Sequence, residues 1–70
     1  MTIREAEKIK EDLKKILVDP RRASSFSWIL DSLNETEPDT EKYIQLDDIL
    51  ETVTGYDFAA INEAYELTRG

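Results

Sequence analysis

Three interruptions constrain the fold of this chain more than any other feature: Asp19-Pro20, Pro38 and Gly55. Between them, apolar residues recur at spacings of three and four, the repeat of a helix that buries one face. Proline pushes the residue before it out of the α region and lacks an N–H of its own. Glycine after a periodic run takes the left-handed conformation that closes a helix. Short amphipathic segments joined by short connections read as an all-α fold, a small compact bundle of four short helices. The alternative is three helices plus a short extended segment near 43–45.

The first segment is the clearest. Thr2 followed by Glu5 fits a capping box. Ile3, Ala6, Ile9, Leu13, Ile16 and Leu17 then form a stripe, and Glu11 with Lys15 makes a favourable i,i+4 pair. Asp19-Pro20 ends this helix and suits the N-cap and first position of the next. A later start at Ser24 or Ser25 competes, because Arg21 and Arg22 are unfavourable at a helix N-terminus. Ala23, Phe26, Ile29, Leu30 and Leu33 make the second stripe, which ends near Asn34. NETEPDTE, residues 34–41, is a loop. In the third segment Tyr43, Leu46, Leu50 and Val53 step by three, four and three. That favours a start at Thr40 over one capped by Asp47. Gly55 stops the helix. Asp57 caps a fourth, which runs to about Thr68, with Tyr56 and Ile61 at the hydrophobic-staple positions.

The expected core is Ile9, Leu13, Ile16, Phe26, Leu30, Leu33, Leu46, Leu50, Val53, Phe58 and Ile61, in a single acidic helical domain spanning 1–70. A chain of 70 residues buries only about 60% of its unfolded surface, so its stability margin is thin.

Composition narrows the chemistry. With no His and no Cys, the chain lacks the usual general base, the commonest transition-metal ligand, a disulfide framework and a thiolate zinc site. Ser24, Ser25 and Ser27 have nothing to activate them. No cofactor, metal or enzyme activity is expected. Asp47, Asp48 and Glu51 read as carboxylates answering the positive end of a helix, and the acidic run from Glu35 to Glu41 lacks the glycine of a calcium loop. The N-terminus is charged throughout and no apolar run is long enough to span a bilayer, so a cytoplasmic, non-membrane protein is expected. Asn34-Glu35-Thr36 is therefore an unused glycosylation sequon.

The formal charge of −7 is unevenly spread. Residues 1–22 hold seven basic against five acidic side chains, whereas residues 23–70 hold two basic against eleven acidic. Asp47 to Leu67, DDILETVTGYDFAAINEAYEL, has the outline of a helix-turn-helix. It contains six acids and no Lys or Arg. Reading DNA requires donors to phosphates and base edges, and only Asn62 qualifies. A DNA-binding regulator thus fits the helix order but conflicts with the charge.

Such a body repels nucleic acid and suits a basic partner. In size and charge the chain resembles small acidic phage proteins that occupy the DNA-binding surface of a host protein with carboxylates in place of phosphates, a class without a shared motif. Trp28 leans toward the polar face of its helix, between Ser24, Ser25, Asp31 and Ser32, where an exposed Trp anchors partners. Arg21-Arg22-Ala23-Ser24 fits a basophilic kinase pattern but reads more simply as basic residues near a helix start. The expected function is a non-catalytic inhibitor or regulator that docks on the basic surface of a nucleic-acid-binding protein. The expected docking residues are Trp28, Asp31, Glu35, Glu37, Asp39, Glu41, Tyr43, Asp47, Asp48 and Glu51. The alternative is a self-associating helical module, a homodimer formed through the first helix.

Overall fold

A computed structural model describes residues 1–69 as four helices: α1 (Ile3–Leu17), α2 (Pro20–Glu35), α3 (Glu41–Thr54) and α4 (Phe58–Leu67). Each begins on a residue whose side-chain oxygen accepts one of the orphan N–H groups of the first turn. Thr2 accepts from Glu5, Asp19 from Arg21, Thr40 from Tyr43 and Asp57 from Ala60. Asp19-Pro20 both ends α1 and opens α2. The two arginines do not delay that start, because Asp19 is itself a local anion and lies 3.9 Å from Arg22.

The helix ends are closed by a different device. Only α1 carries basic residues in its last turn, Lys14 and Lys15. The others use threonine: Thr36 donates to Ser32 O, Thr54 to Leu50 O and Thr68 to Ala64 O, at 2.6–2.8 Å. Each hydroxyl adds a hydrogen bond to a carbonyl of the last helical turn, which at Ala64 O joins the Thr68 backbone N–H. Gly55 completes the end of α3 with φ of 83° and an N–H donated to Glu51 O.

α1 packs chiefly on α4 and α2 on α3, with α1 also touching α2 and α3. The most enclosed large side chains, Leu13, Ile29, Leu33, Leu50 and Ile61, come from all four helices. Of the expected core, Ile16, Leu30 and Val53 are only half-buried, packed against its edge. Ile29 takes the inner position on α2, and Ala6 and Ala64 are fully enclosed. These two alanines lie on the α1 and α4 faces, where a short side chain lets helix axes approach closely.

α3 starts at Glu41, so 43–45 is helical and Asp47 is not a cap of its own helix. Only Glu41 is acidic in the first turn, which corrects the expectation that Asp47, Asp48 and Glu51 sit at a helix start. Two tertiary ties fix the α3–α4 turn. The Asp47 carboxylate accepts the Phe58 N–H at 2.8 Å, capping α4 from outside. The Tyr56 hydroxyl donates to Asp12 on α1 at 2.5 Å. Thr54, buried in the turn, accepts the Tyr56 N–H and donates to Leu50 O or Tyr56 O. Among the described residues no buried side-chain polar atom lacks a partner.

Candidate docking surface

The outer face of α2 is set by its inner one. Phe26, Ile29 and Leu33 turn inward, so residues about 140° round the helix face out. Trp28 lies there and is 60% exposed. Asp31 and Glu35, three and seven residues on, continue the same stripe and are exposed. Glu37 and Asp39 follow in the connection and Glu41 opens α3, all exposed. Asp39 adopts φ of 69°, a left-handed conformation that Asp tolerates better than most residues. Thr40 closes the turn by donating to Glu37 O at 2.8 Å. Six of the ten expected residues therefore form one continuous surface, from the middle of α2 to the start of α3.

The other four do not join it. Tyr43 is half-buried, its ring edge-on to Phe58 with centroids 6.2 Å apart. Burial pushes its phenol pKa up, and the negative charges of Asp47, Asp39 and Asp57 push it further. Asp47 is occupied by the Phe58 N–H. Both are held by internal contacts. Asp48 and Glu51 are exposed but follow Ile44 at spacings of four and seven. That stripe lies on the outer side of α3, turned away from its buried Leu46 and Leu50.

No ion pair among the described residues involves Asp31, Glu35, Glu37, Asp39 or Glu41; those present join Met1 to Glu63, Arg22 to Asp19 and Arg69 to Glu66. Two features escape a reading of α2 alone. α2 and α3 run antiparallel, and Ser25 and Thr52 line one shallow concavity with Arg21, Arg22 and Val53. One turn further along each helix come Trp28 and Ile49, so Ile49, 45% exposed, sits at the level of the indole. The hairpin register about Pro38 is the signal that places it. Arg21 lies at the far end of the Trp28 stripe, seven residues before it, with its backbone N–H capped by Asp19.

The concavities of the surface are open and shallow. One, of about 560 Å³, is lined by Ile3, Glu7, Lys10, Glu11, Lys14 and Thr68. Among the described residues no three carboxylates converge as a metal site would require. Among the described residues no helix is long and apolar enough to cross a membrane. Comparison with protein families, with characterised proteins and with solved structures finds no significant match.

Proposed function

We propose that this protein is a non-catalytic binding protein, an inhibitor or regulator that docks on a basic protein surface. The observation that carries this reading is the run Glu35, Glu37, Asp39 and Glu41: four exposed carboxylates without ion pairs, at one end of the α2–α3 hairpin, beside exposed Trp28. Glu35 and Glu41 stand on helix ends, which lowers the entropy cost of presenting their carboxylates on binding. Trp28 supplies the apolar anchor that charge alone does not. The lack of His and Cys favours binding over catalysis.

A basic surface of this kind belongs most naturally to a nucleic-acid-binding protein in the cytoplasm. The acidic face then acts as a partial mimic of nucleic acid. A duplex as long as the 32 Å extent of the domain carries roughly nineteen phosphates. The five acids of the continuous surface, Asp31, Glu35, Glu37, Asp39 and Glu41, match part of the phosphates on one side.

Affinity capture from nuclease-treated lysate, eluted with rising salt, identifies the partner. The four-site variant Glu35→Gln, Glu37→Gln, Asp39→Gln, Glu41→Gln should then bind about tenfold more weakly or worse, taking roughly 0.3–0.5 kcal/mol per exposed ion pair. Its affinity should also depend less on salt. Unchanged affinity and an unchanged salt slope would remove these carboxylates from the interface.

A further inference from the structure

We infer that the outer face of α2 binds a second copy of this chain, antiparallel and two-fold symmetric about Trp28. The face is built for its own reverse. Arg21 and Glu35 stand seven residues either side of Trp28, each about 10 Å from it along the helix. Seven residues is two turns, so both lie within about 20° of the Trp28 direction. An antiparallel two-fold axis at Trp28 sets the residue n positions before it against the residue n positions after it in the other copy. Arg21 then meets Glu35 of the second copy, and the pairing occurs twice. Ser24 meets Ser32 beside Asp31. Parallel packing would instead set Arg21 against Arg21.

Three further observations favour this occupant. Neither Arg21 nor Glu35 has an ion-pair partner within its own chain among the described residues. The residues between them and the indole include Ser24, Ser25 and Ser32, whose short side chains allow a second helix to approach closely. Finally, both charges oppose the dipole of their own helix: the cation sits in the first turn of α2 and the anion in the last. Antiparallel packing moves each beside the opposite end of the neighbouring helix, where its sign is favourable. Trp28, 60% exposed, and Ile49, 45% exposed, supply the apolar centre. Glu37, Asp39 and Glu41 lie beyond the stripe and stay free at both ends of the dimer.

This inference does not rest on the basic-partner reading, and its test uses the purified chain alone. One helix pair makes an interface at the small end of specific ones, so a Kd on the order of 10–100 µM is expected. Sedimentation velocity from about 5 µM to 1 mM brackets that range. The wild type should pass from monomer to dimer across the series. Trp28→Ala should weaken the dimer at least about tenfold. Arg21→Glu and Glu35→Arg should each weaken it about fivefold or more, and the double variant should return to within about twofold of wild type. All three positions are exposed, and circular dichroism of each variant would check that helicity is kept. A monomer at every concentration, a dimer indifferent to Trp28→Ala, or a double variant no tighter than the singles would each overturn the inference. Glu37, Asp39 and Glu41 lie outside this face, so the variant Glu37→Gln, Asp39→Gln, Glu41→Gln, with Glu35 left in place, reads docking on a basic partner independently of the dimer.

Discussion

α1 and α2 are nearly the same length, 15 and 16 residues, and each buries three side chains in the shared core. Their outer faces obey opposite rules. In α1 Glu5 in the first turn and Lys14 and Lys15 in the last follow the helix dipole, with Arg4 beside Glu5 the one terminal charge against it. Its polar side chains are also used within the fold: Asp12 holds Tyr56, and the Lys10 ammonium lies 5.5 Å above the Tyr65 ring. In α2 the arginines come first and the acid last. The only such tie of its charged side chains is local, Arg22 to Asp19, and a tryptophan points outward. Local stability accounts for the outer face of α1. It does not account for that of α2, where each charge would be better placed at the other end. A surface arranged against the preference of its own helix is what the proposed association would account for.

The sharpest way to break this comparison is to show that the inner faces also differ. Leu13 of α1 and Leu33 of α2 are both 1% exposed. Replacing either with Ala should cost about 2–5 kcal/mol, against a total of roughly 4–10 kcal/mol for a chain of this size. Urea denaturation of the two variants should give losses of the same order. A tolerant Leu33 site would mean that α2 is loosely held, and its exposed Trp would then reflect poor packing.

The difference in ties gives the next largest effect. Tyr56→Phe removes the bond to Asp12 on α1 and should cost about 1–2 kcal/mol. The Tyr56 pKa is raised, first by this hydrogen bond, then by burial and by the negative charge of Asp12. The folded state therefore holds the phenol proton more tightly than the unfolded state does. That stability is complete below the ordinary tyrosine value of about 10 and is lost as pH rises through the higher folded value. Urea denaturation between about pH 8 and 11 should show a smaller alkaline loss in Tyr56→Phe than in wild type. Equal losses would mean the bond is not maintained in solution.

The four helices were legible in the sequence because their signals are local: Thr2, Asp19, Thr40 and Asp57 as caps, Pro20 and Gly55 as boundaries. So was the outward lean of Trp28, since Ile29 and Leu33 on one side leave it on the other. The C-terminal threonines could have been read as well, because Thr36, Thr54 and Thr68 bond only four residues back. What could not be read is the work done by tertiary contacts. Asp47 caps a helix that begins eleven residues later, and Asp12 meets Tyr56 at a separation of 44. Asp47 looks no different from Asp48 in the sequence, yet one is committed to the fold and the other is exposed. The same holds for Tyr43: only the position of Phe58 shows that its ring packs within the fold.

Reversing charge sharpens the contrast at smaller scale. Glu35→Arg in α2 should stabilise the monomer by about 0.3–1 kcal/mol, because it supplies a cation at a helix C-terminus. Lys15→Glu in α1 should destabilise it by a similar amount. Thermal melts in dilute, low-salt solution, well below the expected dimer range, would read both. The same sign for the two would mean that the dipole does not govern these positions, and α2 would no longer be the exception.

The smallest expected effect on stability is the most informative. Trp28→Ala removes the largest side chain of the molecule, yet the fold should change by no more than about 0.5 kcal/mol. Trp28 is 60% exposed, and Ala is the better helix former. Phe26, two residues away and 6% exposed, should cost about 3–5 kcal/mol when replaced by Ala. If Trp28→Ala destabilises as Phe26→Ala does, the indole belongs to the core edge and α2 keeps its outer face for its own sake. If the melt is unmoved while dimerisation or capture of a basic partner falls, then an aromatic side chain that contributes nothing to folding is spent entirely on association. The two helices would then differ in kind: α1 is made for the molecule it belongs to, and α2 for one that it meets.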